Sequence, residues 1–186
     1  LEFDNSYLIT YLESDESTVN VILEHYDYEE NQLSRVKIGT AVNNHGGAAI
    51  AVDRAGYLHV IYGSHGTPMR YRKSEAPNQY TRFTNEIEFG EALTYPSIFI
   101  NEQDELIIAA RGGTGSQHTA GSIEIWKKSS DTQFTRVSTP VVNREMGYAA
   151  FNPSIAVDSQ NYIHMLALVH EGTNDEGYGL YQALIY

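Results

Sequence analysis

The sequence predicts an all-β fold, a β-propeller built of four-stranded antiparallel blades. Two observations predict it: a hairpin cassette that recurs three times, and an alternation of apolar and polar residues with a period of two almost throughout. The cassettes begin at Ile50, Ile98 and Ile155, so the unit recurs after 48 and then 57 residues. Short antiparallel strands that repeat at such intervals are typical of propeller blades.

Each cassette is predicted to form a β-hairpin. An apolar run is followed by a polar turn on Asp53, Asn101 or Asp158, and then by a second run rich in β-branched residues. Asp and Asn favour turns because their side chains bond to nearby backbone groups. His59 and His164 occupy the same position in two cassettes. We therefore interpret them as structural repeats rather than as metal ligands or catalytic groups.

Further strands are predicted after each hairpin, where the alternation resumes. The third strands are predicted at 69–72, 123–126 and 180–183, and the fourth strands at 83–89 and 134–137. The unit predicted from these runs is a sheet of four short strands.

The chain is predicted to hold about four blades, with both terminal blades incomplete. Residues 3–10 resemble the turn and second strand of a cassette, and no fourth strand follows the last third strand. The predicted blades cover approximately residues 1–42, 43–92, 93–145 and 146–186. A closed four-bladed ring and a fragment of a larger propeller are both compatible with this pattern. We favour the fragment, with the missing blades as its partner, because open blade edges would expose unpaired backbone.

Composition excludes several classes of function. The chain has 186 residues, a formal net charge of −12 and no cysteine. The acidic balance argues against a general nucleic-acid binder, which needs clustered Lys and Arg to release counterions. The lack of cysteine rules out disulfides and thiolate metal sites. We expect no cofactor, while a structural metal stays open. No run approaches the ~20 apolar residues of a membrane span, and no signal-peptide pattern opens the chain.

Two histidines are predicted to share one rim of the propeller. His45 lies in the polar loop 43–47, before the first strand of its blade, and two glycines follow it. A histidine in such a loop is exposed and titrates near neutral pH, as a general acid or base must. His65 follows the second strand of the same blade, and a hairpin brings these strand ends together. The plainer alternative is a turn with an incidental histidine.

Equivalent positions in the next blades add residues to the same candidate pocket. Tyr95 precedes a Pro-Ser pair at the position that His45 holds in its own blade, and Tyr148 lies shortly before the third such position. Arg111 ends the second strand of the Tyr95 blade. Because equivalent positions converge near the propeller axis, these residues should join His45 and His65. The tyrosines could instead pack blade against blade.

Four segments together resemble the BNR-repeat-containing family, namely residues 44–47, 57–62, 68–74 and 94–96. Characterised members of that family include ulvan lyases built on seven-bladed propellers. The resemblance implies that a histidine like His45 and a tyrosine like Tyr95 carry the proton chemistry, and that an arginine like Arg111 neutralises a uronate carboxylate. It also implies that His65 and Tyr148 line the cleft and that the protein is secreted or periplasmic.

The predicted function is that of a polysaccharide lyase which cleaves an anionic, ulvan-like glycan by β-elimination. A guanidinium paired to the uronate carboxylate would stabilise the enolate-like transition state that forms when the C5 proton leaves. A base takes that proton and an acid protonates the departing oxygen; histidine and tyrosine can serve as either. Asn44 and Arg70 are further candidate substrate-binding residues, the latter for a sulfated sugar, although Arg70 could simply be solvated.

Two other classes of function remain open from the sequence. A sialidase-like or other glycoside hydrolase would need two facing carboxylates, and the aspartates of the cassette turns are poor candidates for them. A non-catalytic glycan-binding propeller would need no proton chemistry. The expected partner is a polysaccharide, anionic in the case of the lyase, with no nucleic acid and no membrane.

Overall fold

The computed structural model describes residues 2–3, 5–113, 121–142, 150–173 and 179–185, and every regular element in these ranges is a β-strand. The strands are β1 (Glu2–Phe3), β2 (Ser6–Ser14), β3 (Val19–Asp27), β4 (Gln32–Ala41), β5 (Ala49–Val52), β6 (Leu58–Tyr62), β7 (Thr67–Ala76), β8 (Gln79–Phe83), β9 (Ile87–Ile100), β10 (Leu106–Gly112), β11 (Ser122–Ser130), β12 (Gln133–Val142), β13 (Ala150–Val157), β14 (Ile163–Thr173) and β15 (Gly179–Ile185). The predicted all-β fold is confirmed.

The strands form three antiparallel sheets. The first has the order β1-β2-β3-β4, and the last has the order β13-β14-β15. Between them runs a larger sheet with the order β12-β11-β10-β9-β7-β6-β5, and β8 pairs with β7 beside it. None of the sheets closes on itself within the described part of the chain. The number of blades and their boundaries therefore stay predictions.

Strand β9 explains why two predicted blades share one sheet. Its first residues, from Ile87 to Phe89, pair with β7, Leu93 pairs with both β7 and β10, and from Thr94 onward the strand pairs with β10. Gly90 has φ of +68°, and a Cβ there would lie 2.5 Å from Leu93 Cδ1, so the bend between the two halves needs glycine. One strand thus links the outer edge of one four-strand unit to the start of the next.

The predicted strands are found, with one interruption. The third strands lie within β7, β11 and β15, and the fourth strand at 134–137 lies within β12. The strand predicted at 83–89 is broken at 84–86, where the chain leaves β8 before it begins β9. Thr84 keeps this segment against β7, because its N–H donates to Lys73 O at 2.8 Å and its hydroxyl accepts from Lys73 N–H at 3.1 Å.

Successive four-strand units pack face to face through apolar side chains. The first buried cluster joins β2, β3 and β4 to β6 and β8, and includes Leu23 and Val60. The second joins β6 and β7 to β9 and β10, and includes Ile61 and Ile108. The third joins β10 and β11 to β13 and β14, and includes Ala109 and Ala167. Burial of aliphatic side chains between stacked sheets is the main stabilising term of such a layered fold. In the ranges that the structure describes, no helix is long and apolar enough to cross a membrane.

The turn aspartates and the cassette histidines bind each other. Asp53 accepts the Tyr57 N–H at 2.8 Å through Oδ1, and its Oδ2 lies 3.1 Å from His59 Nε2. Burial lowers the pKa of His59, so at neutral pH its Nε2–H donates to Asp53 and its Nδ1 accepts from the Tyr71 hydroxyl at 2.9 Å. His164 Nε2 lies 3.0 Å from Asp158 in the same way. The interpretation of these histidines as structural repeats agrees with these bonds.

Truncation of Asp53 should destabilise the fold more than truncation of its counterpart Asp158. The Asp53 side chain is 15% exposed and its histidine 8%, whereas Asp158 and His164 are 37% and 41% exposed. Asp53→Ala removes the acceptor of the half-buried Tyr57 N–H and of the Nε2–H of buried His59, so we expect a loss of about 1–3 kcal/mol in the free energy of unfolding. At Asp158 water can replace the carboxylate, and the loss should be below about 1 kcal/mol. Urea denaturation of both variants measures the difference; equal losses would contradict it.

Candidate functional site

The candidate site lies where the loop after β4 and the loop after β6 meet the middle of β9, and backbone hydrogen bonds hold these segments together. The loop between β4 and β5 is tied to Gly63, which follows β6: Val42 N–H donates to Gly63 O at 2.9 Å, and Gly63 N–H donates to Gly46 O at 3.0 Å. On the other side, Gly66 N–H lies 3.1 Å from Leu93 O in β9. The loop that carries His65 is thereby fixed between the loop of His45 and strand β9.

Two glycines make this docking possible. Gly63 has φ of +86°, and a Cβ there would lie 2.9 Å from the carbonyl oxygen of Thr40. A Cβ on Gly46 would lie 2.7 Å from Ala41 Cβ and 3.0 Å from the carbonyl carbon of Gly63. Both contacts are closer than real Cβ atoms tolerate, so the two loops can approach each other only with glycine at both positions.

The docked loops bring three rings into contact. The imidazoles of His45 and His65 stack with centroids 4.2 Å apart and an interplanar angle of 17°. The phenol ring of Tyr95 lies 6.0 Å from His45, centroid to centroid, and is tilted by 51°. All three side chains are partly exposed, so solvent and ligands can reach the cluster.

A β-bulge aims Tyr95 at the histidines. The pairing of β9 with β10 shifts between Ala109, opposite Ser97, and Arg111, opposite Thr94. Tyr95 lies in this bulge with φ of +54°, a left-handed conformation that is uncommon for a bulky side chain and especially so before a proline. Backbone strain of this kind persists only where the surrounding structure imposes it, and it is concentrated at functional sites.

Arg111 lies under the tyrosine. It is the penultimate residue of β10 and is only 4% exposed. Its guanidinium carbon lies 4.7 Å from the centroid of the Tyr95 ring, within the range of a cation–π contact. A buried charge is screened less than a surface charge, so the guanidinium acts more strongly on groups that approach the three rings than an exposed arginine would.

Asn43, one residue before the predicted Asn44, organises the pair of histidines. Its side-chain oxygen accepts the backbone N–H of His45 at 2.9 Å and lies 3.1 Å from His45 Nδ1. Its amide nitrogen lies 2.7 Å from His65 Nδ1. Sequence analysis missed this residue, although an asparagine two residues before the histidine is the usual signature of an Asx turn.

The electrostatics of the cluster keep one histidine neutral. Burial lowers the pKa of His65, and the neighbouring His45 and Arg111 lower it further, because a second positive charge nearby is unfavourable. The net charge of the chain is −12, yet this cluster joins an arginine to two imidazoles. The charge of the buried Arg111 thus makes this cluster a locally positive site in an acidic protein, suited to an anionic ligand.

The structure brings together four of the seven predicted site residues. His45, His65, Tyr95 and Arg111 form the contacts above, and their catalytic roles stay a prediction. Asn44 is exposed in the same loop. Tyr148 lies outside the described residues.

Arg70 binds protein groups. Its Nη1 donates to Thr40 O at 2.7 Å, and its Nε lies 3.7 Å from Glu86 and 3.6 Å from Glu88. The expectation that Arg70 is simply solvated is therefore wrong, because its guanidinium contacts a backbone carbonyl and two carboxylates. Its proposed role in substrate binding stays a prediction. A sulfate group of the substrate would have to compete with these two carboxylates for the guanidinium.

The bulge of Tyr95 recurs in the next sheet. The pairing of β13 with β14 shifts between Phe151 and Ser154, and Asn152 lies in this shift with φ of +37° and a proline after it. Ser97 Oγ accepts the Ile155 N–H at 3.2 Å, so the two bulged strands lie side by side. Asn152, which is exposed, thus takes the position in its sheet that Tyr95 takes in β9.

No group of three or more His, Asp or Glu side chains able to hold a metal ion occurs in the part of the chain that the structure describes. The expectation that the protein needs no cofactor stays a prediction.

Comparison with known proteins gives a family and a fold. The sequence profile described as "BNR repeat-containing family member" matches residues 7–177. No curated protein sequence matches the chain. An ulvan lyase of polysaccharide lyase family PL25 superposes with a TM-score of 0.71 at 14% identity, covering 98% of this chain and 48% of the lyase.

Two further structures superpose in the same way. A PL25 ulvan lyase bound to -[GlcA(1-4)Rha3S]- gives a TM-score of 0.68 at 14% identity, with 91% of this chain and 44% of that one covered. The polysaccharide lyase Uly1 gives 0.62 at 14% identity, with 91% and 47% covered. The chain spans about half the length of these structures, and at this identity the likeness shows a propeller-like fold.

Proposed function

The chain belongs to the BNR repeat-containing family, and we propose that its protein is a polysaccharide lyase that cleaves a uronic-acid-containing, ulvan-like glycan by β-elimination. The observation that carries the proposal is the contact cluster of two imidazoles, a phenol and a guanidinium. These groups can move protons and bind a carboxylate, which is what the elimination requires. The likeness to an ulvan lyase that binds -[GlcA(1-4)Rha3S]- supports the choice of glycan.

Arg111 binds the uronate in this proposal. When the C5–H bond breaks, negative charge spreads from C5 onto the carboxylate, and a guanidinium beside it stabilises that charge. The two parallel N–H groups of arginine match the two carboxylate oxygens. Burial of Arg111 strengthens the interaction, because the surrounding groups screen it less than bulk water would.

His45 and Tyr95 move the two protons. The C5–H bond breaks as a base takes the proton, the C4–C5 double bond forms, the C4–O bond breaks, and an acid gives its proton to the departing oxygen. C5 and C4 are neighbours, so acid and base must lie within a few ångströms of each other around one sugar. Ring centroids 6.0 Å apart suit that spacing, and both groups can transfer protons.

The substrate class follows from charge. A polyanion is repelled by a chain with a net charge of −12 unless a local basic surface receives it. Arg111, beside the partly exposed rings of His45, His65 and Tyr95, supplies that local positive charge. A protein with this substrate would work outside the cytoplasm, in keeping with the secreted or periplasmic location expected from the family.

The lyase proposal can be separated from its two alternatives by one incubation with two assays. Intact protein that contains this chain is incubated with ulvan and with other polyuronates, while ultraviolet absorbance follows the new C4–C5 double bond and a second assay counts reducing ends. We expect absorbance and reducing ends to rise together. Reducing ends without absorbance would indicate a hydrolase, and binding with neither signal would indicate a non-catalytic glycan-binding propeller.

A further inference from the structure

The side-chain amide of Asn43 has a fixed orientation. The backbone N–H of His45 can only donate, and it points at Asn43 Oδ1 from 2.9 Å. The atom at that position must therefore be the oxygen, so the amide nitrogen is the atom that faces His65 Nδ1 at 2.7 Å. An assignment that is usually ambiguous for asparagine is settled here by an obligatory donor.

This orientation dictates where the histidines carry their protons. Asn43 Oδ1 accepts, so His45 Nδ1 at 3.1 Å must carry a hydrogen. Asn43 Nδ2 donates, so His65 Nδ1 must be bare. In the neutral pair, His45 then has its free lone pair on Nε2, whereas His65 has its N–H on Nε2. One amide sets opposite tautomers on two stacked rings.

Protonation of His65 would also disrupt this arrangement. A proton on its Nδ1 would point at the amide hydrogens of Asn43, and the positive ring would stack on His45 at 4.2 Å with Arg111 nearby. The charged and titratable groups that face the pair are thus Arg111 from β10 and Tyr95 from β9, besides the histidines themselves. Burial lowers the pKa of His65, and the nearby His45 and Arg111 lower it further.

We propose that Asn43 is a positioning residue that holds His45 as the Nδ1–H tautomer and His65 as the Nε2–H tautomer, so that Nε2 of His45 is the proton acceptor of the site. The catalytic half of this inference rests on the proposed lyase function, whereas the tautomers do not. If His45 Nε2 takes the C5 proton, the hydroxyl of Tyr95 is the group that protonates the departing oxygen. His65 then contributes an Nε2–H donor.

The tautomers can be read directly by nitrogen NMR of the intact protein with labelled histidine, at about pH 8, above the ordinary histidine pKa of about 6.5. His45→Gln and His65→Gln variants assign the two rings. We expect a protonated Nδ1 and a bare Nε2 on His45, and the reverse on His65. Either ring in the opposite form in the unmodified protein would overturn the proposal.

Two substitutions of Asn43 separate its two hydrogen bonds. Asn43→Asp keeps the acceptor for the His45 bonds but replaces the donor to His65 by a second acceptor. His65 should therefore gain a proton on Nδ1 and its pKa should rise, while His45 keeps its tautomer. Asn43→Ala removes both bonds, so both rings should relax toward a mixture. Asn44→Asp places the same charge one residue away, where it should leave both tautomers unchanged.

Activity supplies the second readout. Because the wrong His45 tautomer carries no lone pair at Nε2, Asn43→Ala should lower the elimination rate in proportion to the fraction of His45 rings that lose the Nδ1–H form, by roughly 2- to 10-fold for a mixture of tautomers. Unchanged tautomers in Asn43→Ala would overturn the positioning role. Expected tautomers in a protein that eliminates no polyuronate would overturn only the lyase function and the base assigned under it.

Discussion

Tyr95→Phe is expected to lower the rate of glycan elimination by roughly 100- to 10,000-fold, the usual contribution of a general acid or base. The substitution keeps the ring that lies over Arg111 and beside His45, so the packing of the bulge should survive. It removes only the hydroxyl, which in the proposed mechanism protonates the departing oxygen. Initial rates of absorbance increase, measured on a substrate that the parent protein cleaves, test the expectation.

Tyr57→Phe is the matched control. Tyr57 contacts Lys73 through its ring face at a cassette turn, and its hydroxyl has no proposed part in the chemistry. Its loss should leave the elimination rate within about twofold of the parent, as a surface substitution usually does. Undiminished elimination by Tyr95→Phe would show that this tyrosine only packs one sheet against the next.

Arg111→Lys should lower kcat by roughly 100- to 1,000-fold, with a smaller change in KM. The charge is retained, but an ammonium group cannot reproduce the planar two-point contact with a carboxylate. The lost stabilisation matters most in the transition state, where charge spreads onto the carboxylate, and one missing donor to a developing anion commonly has an effect of this size. Steady-state kinetics on one polyuronate give both constants.

Arg54→Lys provides the comparison for this substitution. Arg54 is 65% exposed and lies 3.3 Å from Asp104, so its replacement should change neither constant by more than about twofold. Because Arg111 is buried, thermal unfolding of both variants is compared first, and kinetics are measured well below the transition. If Arg111→Lys matched Arg54→Lys in kcat, Arg111 would have no role in transition-state binding.

The fold was predictable from the sequence because its signal is local. Alternating runs and turn residues such as Asp53 and Asp158 specify hairpins within a dozen residues, and the repetition of those hairpins specifies stacked sheets. The break at 84–86 was not predictable. Its residues Thr84, Asn85 and Glu86 are all polar, which suits an exposed strand as well as a break. Only the pairing of the flanking Phe83 and Ile87 with β7 shows where the chain leaves the sheet and rejoins it.

The candidate site was predictable only in part, because much of it depends on contacts between distant segments. A tyrosine before a proline predicts extended backbone, whereas Tyr95 is left-handed because the pairing of β9 with β10 carries a bulge. Arg70 faces Glu88 because those residues are partners across β7 and β9, a register that composition does not reveal. Asn43 could have been found from its spacing to His45, but its bond to His65 could not.

The central claim is that the chemistry is elimination and not hydrolysis, and the origin of the product oxygen tests it most directly. The intact protein cleaves a uronate oligosaccharide in water enriched in heavy oxygen, and mass spectrometry measures the masses of the two products, one from each side of the cleaved bond. Elimination breaks the C4–O bond without adding water. We therefore predict an unsaturated uronate on one end and no heavy oxygen introduced by cleavage on either. In Tyr95→Phe both products should form at least about 100-fold more slowly. One heavy oxygen per cleavage and no unsaturated end would contradict the account.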